Sequence, residues 1–351
     1  MSVDATDIYM SAAAIEVGQA AGEDACFLTK GVALSARRYL ASAASLFTLS
    51  LGIVATAGPA AAAHVTCGQT ILVSTVLDAD VGPCSTGVTI GADNVTLDLN
   101  GFSISGNPAT GEGPGINLVD RTGVTVKNGT VTQFDAGIAI TRGTGNTVRN
   151  MQVLDNRGSF STDFGDGIAL FRSTNNVITG NKVRNNGPYS GIGLIGSAFN
   201  LIEDNQVTNN NQSFQTSGIR LENGPPSNDN TVVNNLVANS GLDGIQVFAG
   251  GSRNRIEANS VVGNTRDGIN VFAGGNGNVI EGNNVRSNRG SGIFVRGAAG
   301  SFPAPMNNQI LGNAAFGNVG PDLRDAQPNC GTNQWRGNRA GTFTPPCTLN
   351  P

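Results

Sequence analysis

From residue 115 onward the chain is punctuated by a Gly-Ile pair, at 115, 137, 167, 191, 218, 244, 268 and 292. The steps between pairs are 22, 30, 24, 27, 26, 24 and 24 residues. A short apolar alternation follows each of the later pairs: GIALF, GIGLI, GIRLE, GIQVF, GINVF and GIFVR. A second signal runs out of phase with the first, as NVITGNKV, NLIEDNQV, NRIEANSV and NVIEGNNV, with NTVVNNLV and NQILGNAA as relatives. Its middle Asn falls at Asn181, Asn205, Asn235, Asn259, Asn283 and Asn313. Apolar alternation of period two marks strands. Asn and Gly between the dyads tolerate left-handed φ and make tight bends. Three short strands per repeat therefore predict one triangular coil. Parallel neighbours need a long connection, and the rest of the coil supplies it. Inward Ile, Leu and Val then stack on their counterparts one coil away, at ~4.8 Å. The corner Asn is expected to bond the Asn above and below it in a ladder. One coil cannot bury its apolar face, but a stack can.

These repeats, over roughly residues 86–327, resemble the right-handed parallel β-helix repeat of the pectate-lyase-like superfamily. They are most similar to the Asn-rich form seen in exported bacterial β-helix proteins, including NosD-like ones. CGQTI (67–71) and TLDLNGFSISG (96–106) resemble the opening of such proteins, and PDLRDAQPNCGTNQWRGN (321–338) resembles their closing segment. The expected fold is all-β: a single-stranded right-handed parallel β-helix of about nine to ten coils with disulfide-bonded end caps. The expected divisions are a leader over 1–63, an amino-terminal cap and first coil over 64–92, repeats over 93–327 and a carboxy-terminal cap over 328–351.

Composition changes sharply at the leader. All 41 Asn lie from Asn94 onward. Arg37-Arg38 precedes the apolar run YLASAASLFTLSLGIVATA, and small residues follow to Ala63. A basic region, an apolar stretch and a small-residue end predict a secretory signal over about 32–63, cleaved near Ala63–His64. Residues 1–30 carry five acids and read as an overlong start, with Val32 or a neighbour as the first residue. The mature chain is expected to be secreted, extracellular and monomeric, with no membrane segment after cleavage. It keeps Cys67, Cys84, Cys330 and Cys347. An even count in an exported chain predicts disulfides. Three pairings are open, and the local pairs Cys67–Cys84 and Cys330–Cys347 are favoured.

The chain has 351 residues, a net charge of -4 and 49 Gly. Only Lys127 and Lys182 follow the leader, which excludes a basic nucleic-acid surface. His64 is the sole His, so His-based triads are excluded elsewhere. The fold resemblance implies a polysaccharide partner, since lyases, polygalacturonase-type hydrolases and uronan epimerases use this scaffold. The marked motifs of those enzymes are absent. The expected function is to bind or cleave an extracellular, acidic polysaccharide, as a lyase or hydrolase if an enzyme, and the alternative is a non-catalytic cell-surface, structural or adhesion protein. The NosD resemblance implies a part in maturing a copper enzyme, yet His64, Met151, Met306 and four Cys make a poor copper donor set.

Alternation places Phe171, Arg220, Glu222, Gln246, Phe248, Asn270, Phe272, Phe294 and Arg296 on one outer sheet, along with Gly193 and Ile195. Rings suit sugar C–H faces, and Arg forks suit uronate carboxylates. The alternative is that Phe248, Phe272 and Phe294 form a column that stiffens the sheet. Asp163, Asp166, Asp243 and Asp267, with Arg266 adjacent, cluster at the bend before this strand. Asp166, Asp243 and Asp267 are candidate carboxyl catalysts or Ca²⁺ ligands, and Arg220 or Arg266 a candidate uronate holder or base. Asp243 and Asp267 fall at matching positions one coil apart, with Asp166 two coils further off. The competing reading is that Asp-Gly is a turn pair, because Ser fills the same place at Ser190, Ser217 and Ser291. Insertions at 156–166, 210–217, 222–229 and 297–307 exceed what a corner needs, and the first is expected to border the site.

Overall fold

A computed structural model describes residues 62–108, 112–158, 165–211, 216–222 and 225–349. It is a right-handed parallel β-helix. The leader falls outside the described residues except Ala62–Ala63, a short strand that pairs in parallel with Thr75–Leu77. The middle of the 156–166 insertion, four residues of the 210–217 insertion and two of the 222–229 insertion are also outside. Among the described residues, no helix is long and apolar enough to cross a membrane.

Each regular coil contributes three strands. One belongs to a twelve-stranded sheet, here the front sheet, running from Thr70–Ile71 to Phe343–Thr344. The other two form the back faces, as in Leu201–Glu203 and Gln206–Thr208. Strand pairing between coils is parallel throughout the described residues and in register except for shifts at Val81–Cys84 and at Thr86–Val88, as in Ile192↔Ile219, Ile219↔Ile245 and Ile245↔Ile269. That register lines identical side chains into columns. Ile168, Ile192, Ile219, Ile245, Ile269 and Ile293 form one such column, all fully buried. The recurring Gly before this Ile is a packing requirement. A Cβ on Gly191 would lie 2.5 Å from Val207 Cγ1 and 2.7 Å from the Gly218 carbonyl oxygen. Only Gly lets the coils close at that height.

The corners share one device: a residue with left-handed φ, followed by a buried Asn. Asn175, Gly180 and Asn185 precede Asn176, Asn181 and Asn186 in one coil, with φ of 56°, 64° and 57°. The predicted ladder through Asn181 and Asn313 is present. The Nδ2 of Asn205 donates to Asn235 Oδ1 at 3.0 Å, and Asn235 Nδ2 to Asn259 Oδ1 at 3.0 Å. Two further ladders accompany it. One runs from Asn146 through Asn200 to Asn333, and the other from Asn156 to Asn318. The last is interrupted at Ser240, which is too short to bridge Asn210 and Asn264 with an amide. Within the ladders every amide-to-amide bond points toward the carboxy-terminal end, so the last amides need other acceptors. Asn318 donates to Asp322 at 2.7 Å, and Asn333 donates to Asp325 at 3.1 Å. Burial pushes the Asp325 carboxyl above the usual carboxylate range, against the Gln327 N–H, Trp335 and Asn333 donors.

Both local disulfides form, Cys67–Cys84 at one end and Cys330–Cys347 at the other. Solenoid ends expose strand edges, and a crosslink holds each cap over its edge.

Candidate functional site

The chain enters each front strand through a corner that is Asp166, Ser190, Ser217, Asp243, Asp267 and Ser291 in successive coils. Ser190 and Ser217 both intervene, so Asp166 lies three coils from Asp243 rather than two from the pair. The Asp side chains do the work of the turn. Asp243 Oδ1 accepts the Asp267 N–H at 3.1 Å, and Asp267 Oδ1 accepts the Ser291 N–H at 2.8 Å. Asp166 accepts the N–H of Ser190 in the same way.

The remaining carboxylate oxygens reach onto the front sheet. Asp243 is fully buried and accepts from Gln246 Nε2 at 2.9 Å and Asn270 Nδ2 at 3.0 Å. Arg266 folds back over it in a two-pronged ion pair, with Nε 2.8 Å from Oδ1. Asp267 accepts from Arg296 Nη2 at 3.1 Å and from the same Asn270 amide at 3.3 Å. Asp243 and Asp267 thus flank one amide nitrogen and share the Arg266 guanidinium, while Arg296 pairs with Asp267. Burial, then the Asp243 charge, raises the Asp267 carboxyl above its ordinary range, with Arg296 opposing. Burial and the nearby Arg266 charge lower Arg296. Fully partnered buried acids of this kind fix geometry.

Asp166 forms a separate centre. Its carboxyl rests where a side chain would stand on the next strand. A Cβ on Gly193 would lie 2.6 Å from Asp166 Oδ1. Gly193 pairs in register with Arg220, and Ile195 with Glu222. Arg220 Nε is 2.8 Å from Glu222 Oε1. Burial, reinforced by the Glu222 charge, pushes the Asp166 carboxyl up to about 7, against the pull of Arg220 and Ser190.

The outward residues fall into two columns. Gly193, Arg220, Gln246, Asn270, Phe294 and Arg324 form one, in strict register. Phe171, Ile195 and Glu222 form the other, continued by Phe248, Phe272 and Arg296 just beyond the strand ends. Phe248 and Phe272 stack with ring centroids 5.0 Å apart. Phe294 belongs to the first column, so the expected three-ring column does not form. The sequence holds the reason: Phe294 is two residues after its Gly, whereas Phe248 and Phe272 are four after theirs. Guanidinium groups cover the rings. Arg220 lies 4.6 Å from the Phe248 centroid, Arg296 4.9 Å from Phe294, and Arg324 4.3 Å from Phe294. Arg172 caps Phe171 at 5.1 Å. Asn270 and Phe294 point outward but are buried, Asn270 by the acid pair and Phe294 beneath the two Arg. Sequence reasoning missed Arg324 and the role of Gly193. The register of Leu323 with Ile293 was the available signal for Arg324.

The family described as periplasmic copper-binding protein (NosD) matches residues 68–266 and 161–344 of the chain. The chain belongs to the NosD family. No curated protein matches the sequence. Among solved structures, Dettilon tailspike protein is similar at 21% identity and a TM-score of 0.63, over 79% of this chain and 60% of that one. The periplasmic alginate epimerase AlgG is similar at 16% identity and a TM-score of 0.53, over 73% of this chain and 61% of that one. The chain thus spans less than two thirds of either neighbour. At these identities the likeness is one of fold.

The family description names copper, and the described residues of this NosD-family chain do not fit it. Copper favours thiolate, thioether and imidazole donors. All four Cys of the described residues are in disulfides. Met151 is buried in the core, Met306 is far along the solenoid, and His64 sits at the opposite end beside Asp78. Among the described residues, no group of three or more His, Cys, Asp or Glu could hold a metal ion.

Proposed function

We propose that this NosD-family chain is an exported protein that binds an acidic extracellular polysaccharide along its front face. The observation that carries this reading is the Phe248–Phe272 stack with Arg220 and Arg296 over its rings. The outward edges of the stacked rings offer apolar area to sugar C–H groups, and the guanidinium groups offer forked donors to carboxylates. Two disulfides support export to an oxidising compartment. The neighbour named as an alginate epimerase agrees with a carbohydrate partner.

Asp243 and Asp267 serve as the scaffold of this face, since each is held by neighbouring donors. One specific observation favours chemistry beside binding. Asp166, at about 7 and next to Arg220 and Glu222, is a carboxyl poised to take or give a proton near neutrality. The test is affinity electrophoresis of the exported chain through gels containing uronate or neutral polymers, with parallel assays for unsaturated and reducing ends. Retardation by an acidic polymer, reduced about tenfold in affinity by Phe248→Ala with Phe272→Ala, supports the reading. Unretarded migration in every polymer contradicts it. Product ends that vanish in Asp166→Asn would establish the chemical role.

A further inference from the structure

In the corner after each front strand, the residue just before the ladder Asn has left-handed φ from Asn146 to Asn308, and in several coils a second such residue (Arg142, Arg172, Gly196, Gly250, Gly274) opens the corner. In chain order the residues before the Asn are Gly145, Asn175, Phe199, Asp229, Arg253, Gly277 and Asn307. Glycine, Asn and Asp tolerate that conformation, and bulky side chains do not. Two of these seven positions break the rule; Arg142 and Arg172, which open their corners with left-handed φ, are held by Asp120 and by the Phe171 ring. Arg253 has a visible reason, because its guanidinium forms a two-pronged pair with Asp229 at 2.7 Å on each arm. Phe199, at φ 57°, has none within the fold. Its side chain is 61% exposed, and its ring has no aromatic or cationic partner among the described residues. An aromatic ring in a disfavoured conformation, contributing little to the core, points to a role outside the folding of the chain.

We infer that Phe199 is a sugar-stacking contact that extends the front-face binding surface around the corner of the solenoid. This rests on the polysaccharide reading above. Surroundings argue for a sugar over a protein partner. Asn175 and Asp229 occupy the equivalent places in the adjacent coils, so the ring is a single flat apolar surface among amide and carboxylate groups. That mixture matches one pyranose, with its C–H face and surrounding hydroxyls. A protein interface needs a wider contiguous apolar patch. Phe199 also follows Ile195, whose strand carries the Gly193 notch that receives Asp166, by only four residues. A polymer lying over Arg220 and Phe248 and running toward the end of the front strands meets this corner next.

The experiment compares the exported chain with Phe199→Asn and Phe199→Trp, reading both thermal midpoint and retardation in the acidic polymer gel. Asn restores the residue the corner prefers, so the midpoint is expected to rise by ~2–4 °C. Affinity is expected to fall about five- to tenfold. Phe199→Trp is expected to keep the affinity without the gain in midpoint. A higher midpoint with unchanged affinity would overturn the inference while leaving the binding face intact. A lower midpoint in Phe199→Asn would also overturn it, by showing that the ring is held for packing. If the unaltered chain binds no polymer, the parent reading fails, and this inference fails with it.

Discussion

Replacing Asn235 by Ala removes one rung from the middle of a ladder, and the cost can be worked from its bonds. Asn235 Nδ2 donates to the Ile202 carbonyl at 2.9 Å, the Val233 carbonyl at 3.0 Å and Asn259 Oδ1 at 3.0 Å. Its Oδ1 accepts the backbone N–H of Asn205 at 3.0 Å and the Asn205 side-chain amide at 3.0 Å. Asn235 is 1% exposed, so water does not replace these partners. The substitution strands the Asn205 N–H outright, at about 1–3 kcal/mol, and forfeits several amide bonds of about 1 kcal/mol net each. Allowing for overlap, the expected loss is ~3–5 kcal/mol of global stability. Denaturant unfolding followed by circular dichroism measures it. Asn284→Ala is the matched control, because Asn284 faces outward on a back strand and is exposed. That change is expected to lie within about 0.5 kcal/mol. A loss below about 1 kcal/mol for Asn235→Ala would refute the claim that the ladders hold the corners.

Three other outcomes follow from the same geometry. Ser240→Asn fills the gap in the third ladder and is expected to stabilise by ~1 kcal/mol in the same unfolding assay. Asp166 is expected to make stability depend on pH. Its carboxyl is near 7 when folded and near 3.8 when unfolded, so between those values the folded chain keeps a proton the unfolded chain has lost. Stability from this group is therefore full below about pH 4 and falls as pH rises through about 7. Asp166→Asn, which keeps an acceptor for Ser190, should be neutral near pH 4 and more stable by up to ~4 kcal/mol at pH 8. Cys330→Ser with Cys347→Ser opens a loop of sequence separation 17 and should cost ~3 kcal/mol, read as a lower thermal midpoint.

Legibility differed between scaffold and site for physical reasons. The coil was legible because its determinants are local and repeated. Gly-Ile marks the start of each front strand, and period two sets which residues face in. One Asn ladder was visible because its Asn sits between two apolar dyads. The other two lie at corners where the preceding left-handed residue varies among Gly, Asn, Asp, Ser, Arg and Phe, which blurs the signal. The site was less legible because it depends on contacts between coils. Nothing local to Arg266 says that it turns back onto Asp243 in the previous coil, or that Asn270 is shared by two carboxylates. The notch at Gly193 reads as one more Gly until Asp166 is seen to fill it. The displacement of Phe294 from the Phe248–Phe272 column, in contrast, follows from counting two residues and was readable in advance.

The central claim is that the front face, and no other, receives an acidic polysaccharide. Hydrogen exchange of the exported chain, with and without saturating uronate oligosaccharide, tests it most directly. Slowed exchange confined to the front-sheet segments 217–222, 245–248 and 269–272 and the adjoining corner at 196–200 is the predicted result. Unchanged exchange throughout, or protection confined to back-face strands such as 255–257 and 279–281, would contradict the account.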